Sequence, residues 1–167
     1  PYMLCIFYMD MNNFGLAPAL LPIALMNSTG DLTAQANILQ LAYQVSAPMM
    51  YVGDFLTFYV DMPLRYPVAL YFSITVIIYI FASMSIDSWS DASRFTLSMY
   101  LATSFCIAQA LSGYILIMAW RKASKEVPPQ NRESSSRACG YADQISSFVG
   151  SVIALLIVVS CGSCMKA

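Results

Sequence analysis

The chain has 167 residues, of which 59% are apolar and only 10% charged, a balance outside that of a soluble domain. A net charge of −1 excludes nucleic acid as a partner, because phosphate binding draws on clustered Lys and Arg that displace counterions. There is no histidine, which removes the commonest donor for haem, proton relays and zinc, and with it most metalloenzyme classes.

This composition points to an integral membrane protein. A hydrocarbon layer about 30 Å thick asks for roughly 20 apolar residues per helical span. Five such runs fall at about 2–26, 33–53, 66–84, 95–120 and 138–160. The expectation is an all-α, integral membrane bundle of five transmembrane helices, one membrane domain over residues 1–167 with the lipid bilayer as its surroundings.

The first span contains MDMNNFGLAPALLP, with Asp10, Asn12 and Asn13 ahead of Gly15, Pro18 and Pro22. Two prolines remove backbone donors, so the span is expected to kink where neighbours or water satisfy the freed carbonyls. It is too long and too rich in Asn and Pro for a signal peptide, and the start at Pro1 rather than Met reads as a processed or partial polypeptide. Asn27-Ser28-Thr29 is an N-glycosylation acceptor pattern, which makes Asn27 a candidate on a lumenal or extracellular loop.

In the second span Thr33, Asn37, Gln40 and Gln44 recur at spacings of four, three and four, and Ala47 extends the stripe to Pro48. One face is therefore hydrophilic, serving either interhelical hydrogen bonds or a solute path. The third span, 66–84, begins at Tyr66, and Trp89 and Trp120 also lie near helix ends, as amphipathic rings do at headgroup level. The fourth places Thr103, Ser104, Gln109 and Ser112 among apolar residues. The spacing of Ala108 with Ser112, and of Ser146 with Gly150 and Ala154, reads as close helix packing.

Residues 121–137, RKASKEVPPQNRESSSR, hold five of the eight Lys and Arg residues and are expected to form a cytoplasmic basic loop. Alternation then puts the N-terminus and the 54–65 loop inside, and the 27–32 and 86–94 loops with the C-terminus outside. The fifth span opens on CGYADQISSFVG, Cys139 to Gly150. Asp143 lies six residues past Arg137, about 9 Å by helical rise, so it either reaches the interface or pairs with a loop cation. Asp10 has no cation in its own helix, which makes it the pathway acid candidate. Cys5, Cys106 and Cys139 read as small hydrophobes, and Cys161 with Cys164 as an incidental tail pair. No metal site is expected. With no serine elbow, phosphate loop, dinucleotide fingerprint or carboxylate pair at glycosidase-like positions, the chain is not expected to be an enzyme.

The chain resembles the C-terminal half, the last five of eleven membrane helices, of the eukaryotic riboflavin transporter (solute carrier family 52-like) family. The Cys-Gly-x-Ala-x-Gln-x-x-Ser-x-x-Gly pattern of that family's final helix is reproduced without a gap by Cys139, Gly140, Ala142, Gln144, Ser147 and Gly150. Asn13, Gly15 and Pro18 fit its Asn-Gly-x-x-Pro element with Phe14 as an insertion, Val45-Ser46-Ala47-Pro48 resembles its Val-Ala-Asn-Pro element, and Arg121 matches the basic end of the fourth helix. The chain departs from the pattern around Leu21, where members carry Gln, at Ala47 in place of Asn, at Asp143 in place of an apolar residue, and in lacking a fourth-helix Lys of animal members.

The resemblance implies a flavin-like solute moved between this half and an N-terminal six-helix half, with access alternating as the halves rock. Asn13, Asn37, Gln40, Gln44, Gln109 and Gln144 are the substrate-binding residues it implies. Riboflavin would be cargo, so no cofactor is implied, and a transporter of this kind would sit in the plasma membrane. The alternative is a non-transporting integral subunit, a remnant of the transporter fold with a structural role in a larger membrane complex. In either case a second helical half or other membrane subunits should cover the polar face.

Overall fold

The computed structural model describes residues 2–29, 32–83 and 90–164, apart from the side chains of residues 27–29, 32, 91 and 161–164. The side chain of Asn27, Trp89 and the Cys161 and Cys164 side chains therefore lie outside the described residues. Among the described residues the regular structure is entirely helical. In chain order it comprises α1 (Tyr2–Met11), a π-helical turn (Asn12–Leu16), α2 (Ala17–Thr29), α3 (Leu32–Leu56), α4 (Arg65–Ser83), α5 (Asp91–Glu126), a 3-10 turn (Pro129–Asn131) and α6 (Arg132–Cys164).

Among the described residues, three helical stretches are long and apolar enough to cross a membrane: Arg65–Ser83, Ala92–Glu126 and Pro129–Ser160. They mark the protein as membrane-embedded. The other two expected spans differ for local reasons. The first is divided into pieces of 10, 5 and 13 residues. The second, α3, carries Thr33, Gln35, Asn37, Gln40, Gln44 and Asp54 within its 25 residues.

The expected kink in the first span takes a specific form. The ladder widens at Asn12–Leu16, where the Ala17 N–H reaches back five residues to Asn12 O. A π turn accommodates one extra residue, and it ends two residues before Pro18, which has no N–H to give. Pro22 and Pro48 are carried inside α2 and α3.

The basic run 121–137 is not the loop its charge implied. α5 continues to Glu126, the 3-10 turn begins at Pro129 and α6 at Arg132, so most of the run is helix. Charge density misled here because Lys, Arg and Glu are good helix formers. The 36 residues of α5 extend for about 54 Å, well beyond the hydrocarbon, so the charged end runs into water without unwinding. Pro128, with φ −52° and ψ 146°, breaks the path before the next helix. Arg137 then pairs with Glu133 one turn earlier on the exposed face of α6.

Two compact units divide the chain: Pro1–Ala19 with Ile115–Ala167, and Leu20–Tyr114. In the first, α1 and the π turn pack on α6. The backbones meet at glycine: a Cβ on Gly15 would lie 2.2 Å from Gly150 O, and one on Gly150 would lie 2.5 Å from Met11 O. Contact this close replaces side-chain packing with direct backbone dispersion, the device helices use where lipid supplies no hydrophobic drive. The opposite face of α6 presents Phe148, Val152, Leu155 and Val159, all exposed.

In the second unit α3 meets α5 in the same manner. A Cβ on Gly53 would fall 1.8 Å from Ala110 O, and one on Gly113 2.3 Å from Met50 O. Tyr43 and Phe105 stack edge to face with centroids 5.9 Å apart. The Tyr114 hydroxyl donates to Val60 O and accepts the Met62 N–H, both at 2.9 Å, and so holds the α3–α4 link against α5.

Gly150→Leu is expected to destabilise the protein by about 1–3 kcal/mol, because the clash is with backbone that cannot rotate away. Gly140→Ala serves as the contrast: a Cβ there meets nothing within 4 Å. It should stabilise by up to about 1 kcal/mol through helix propensity. Thermal unfolding in detergent measures both.

Candidate functional site

A helix in an apolar medium has already used its N–H groups on its own carbonyls, so the side chains it carries fall into two classes. Hydroxyls can donate to a carbonyl three or four residues back, and they do. Thr75 donates to Tyr71 O at 3.1 Å, Thr103 to Met99 O at 2.8 Å, Ser112 to Gln109 O at 2.9 Å and Ser146 to Asp143 O at 2.8 Å. These groups need nothing from outside their helix. Carboxylate and amide oxygens only accept, and no helical N–H remains for them.

That second class gathers in the first unit. Asp10, on the last turn of α1, is 1% exposed; neither of its carboxylate oxygens meets an N–H or hydroxyl donor, and the group within hydrogen-bonding reach is another carboxyl, that of Asp143 on α6. Asn13, three residues on in the π turn, is 4% exposed with Oδ1 likewise unmatched. Three-residue spacing places the two on the same side of the helix. From α6, the carboxyl of Asp143 acts on Asp10, and Cys5 lies within electrostatic range on α1 itself. Asp143 is half-buried.

A crevice of about 550 Å³ opens at the basic end of this unit, lined by residues that include Tyr2, Glu126, Asn131, Ser134, Ser135 and Cys139. The Tyr2 hydroxyl donates to Glu126 Oε1 across its rim. Cys139 lies four residues, one helical turn, before Asp143.

The six expected substrate-binding residues divide between the units. Asn13 and Gln144 belong to the first, with Asn13 buried and Gln144 exposed on α6. Asn37, Gln40, Gln44 and Gln109 belong to the second. There Asn37, Gln40 and Gln44 of α3 are exposed, and Gln109 is buried on α5.

Two residues that spacing did not single out have definite roles. Gln35 is off the 33–37–40–44 stripe and buried, and its Nε2 donates to Pro22 O at 3.1 Å. It braces the proline-bearing helix, and the signal was the unexplained amide beside a proline-rich neighbour. Asp54, just past the expected 33–53 span, comes close to Gly113, its Oδ1 2.8 Å from where a Cβ on that glycine would sit. Burial pushes the Asp54 carboxyl above the usual carboxylate range.

No protein-family model, curated protein or solved structure matches the chain.

The Asp54 shift has a definite sign. Its folded pKa lies above its unfolded value, so its contribution is fully present below the unfolded pKa and is lost as pH rises through the folded one. The Asp54 contribution to thermal stability should therefore shrink as pH rises above the ordinary carboxylate range. Asp54→Asn should flatten part of that decline and raise the neutral-pH Tm. A Tm series across pH on both proteins measures the difference.

Proposed function

We propose that the chain is a five-span membrane protein forming part of a solute carrier. In this reading it corresponds to the C-terminal half of a riboflavin-type transporter in the plasma membrane, and it moves a flavin-like solute together with a second helical half. One observation carries the reading. Two of the segments that carry the resemblance, the one around Asn13 and Gly15 and Cys139–Gly150, pack together in the first unit, with Gly15 against Gly150 at backbone distance. Motif glycines that meet each other have a shared reason to be glycine.

The polar first helix fits the same role. Its π turn holds Asn12 and Asn13 buried within a membrane protein, and interrupted helices of this kind line solute sites because irregular backbone is tolerated only beside protein or water. The isoalloxazine ring would need an apolar or aromatic slot with a few amide groups for its carbonyls, and in the first unit Asn13 is a buried amide of that kind.

A second reading is favoured by the exposed stripe of Asn37, Gln40 and Gln44. A row of amides left open would suit a non-transporting integral subunit whose neighbours in a larger complex cover α3.

Uptake separates the two. The chain, purified with every polypeptide that accompanies it and reconstituted in liposomes, should give saturable riboflavin uptake. Asn13→Ala should lower that uptake at least about tenfold, the effect of losing one well-placed hydrogen bond, while Ser73→Ala leaves it intact. Co-purification at fixed stoichiometry with other membrane subunits, without uptake, would replace the transporter by the structural subunit.

A further inference from the structure

The Asp10 carboxylate poses a problem of charge as well as of hydrogen bonding. A bare carboxylate withdrawn from water is not sustained in an apolar interior; it is neutralised by a proton, a metal cation or a paired side chain. Its helix and the π turn contain no Lys or Arg. Among the described residues, the Lys and Arg of this unit sit towards its basic end, Arg121, Lys122 and Lys125 late in α5 and Arg132 and Arg137 early in α6, where Arg137 is engaged by Glu133. The ionisable groups that bear on Asp10 are Asp143, a second acid, and the Cys5 thiol. Among the described residues no cation acts on Asp10.

Oxygen gathers beside Asp10 instead. Both Asp10 oxygens and Asn13 Oδ1 are buried acceptors that meet no N–H or hydroxyl, and Asp143 brings a second carboxyl from the facing helix within hydrogen-bonding reach of Asp10. Hard monovalent cations are held by carboxylate and amide oxygens, and a proton can be shared between two carboxylates. We propose that Asp10, Asn13 and Asp143 form a binding site for a monovalent cation, H⁺ or Na⁺, where α1 opens into its π turn. Asp143 is the half-buried member. One helical turn from it, Cys139 lines the crevice that has Glu126 at its rim. The inference goes beyond the flavin reading and does not rest on it, since the ion is bound by this chain alone.

The test uses the purified full chain in detergent without flavin. NaCl replaces choline chloride at constant ionic strength, and Tm is recorded across pH for wild type, Asp10→Asn and Asn13→Leu. A Na⁺ site predicts a Tm rise of several degrees in NaCl for wild type, abolished in Asp10→Asn and reduced in Asn13→Leu. A proton site predicts no Na⁺ effect and a pH dependence of Tm that is larger in wild type than in Asp10→Asn. Identical responses of wild type and Asp10→Asn to both Na⁺ and pH overturn the site. Should Asp10→Asn not be recovered, infrared difference spectra of wild type carrying isotope-labelled Asp decide the question. A carboxyl band displaced by Na⁺ or by pH supports the site, and an unmoved band overturns it.

Discussion

The organisation of this chain depends on a shortage of hydrogen-bond donors. Inside an apolar helix every backbone N–H past the first turn is committed to a carbonyl, so an oxygen that can only accept has to find its donor or its cation elsewhere. Serine and threonine avoid the problem by donating to their own helix, which is why Thr75, Thr103, Ser112 and Ser146 pass through apolar surroundings without partners from another helix. The Asp10 carboxylate and the Asn13 Oδ1 have no proton to donate. The buried polar chemistry of the first unit is therefore concentrated at one place, where the helix itself is opened.

That opening and the glycine contacts belong together. A π turn displaces the helix locally and changes which side chains face α6. Gly15 and Gly150 let the two backbones approach closely enough that little besides main chain separates them. The second unit uses the same arrangement at Gly53 and Gly113, between α3 and α5. In both, carbonyl oxygens fill the space a methyl group would occupy, so helix register is set by main-chain shape more than by side-chain size.

Much of this was legible in the sequence, for reasons that can be named. Apolar runs bounded by Pro, Asn and charged residues located α3 and α4 to within about three positions, while the first run is divided into three helical pieces and α5 and α6 run four to six residues past the expected ends, because hydrocarbon thickness sets the apolar run and not where the helix stops. The spacing of Asn37, Gln40 and Gln44 marked the amides of α3 that are exposed. Charge misled at 121–137, where a run of cations signals the water side but says nothing about whether the chain stays helical. Gln35 was missed because it breaks the periodicity that revealed its neighbours. The approach of Asp143 to Asp10 is a tertiary fact between distant parts of the chain, and no local pattern encodes it.

The Tyr114 hydroxyl has a mechanical consequence. One oxygen acts as acceptor to Met62 and donor to Val60, so a single rigid ring clasps a stretch of irregular chain on both sides of Asp61. The segment leading into α4 cannot slide or unwind while that clasp is shut, and any rotation of α5 about its axis must drag it along or release both bonds together. A phenol in this position works as a latch whose two catches open in one step.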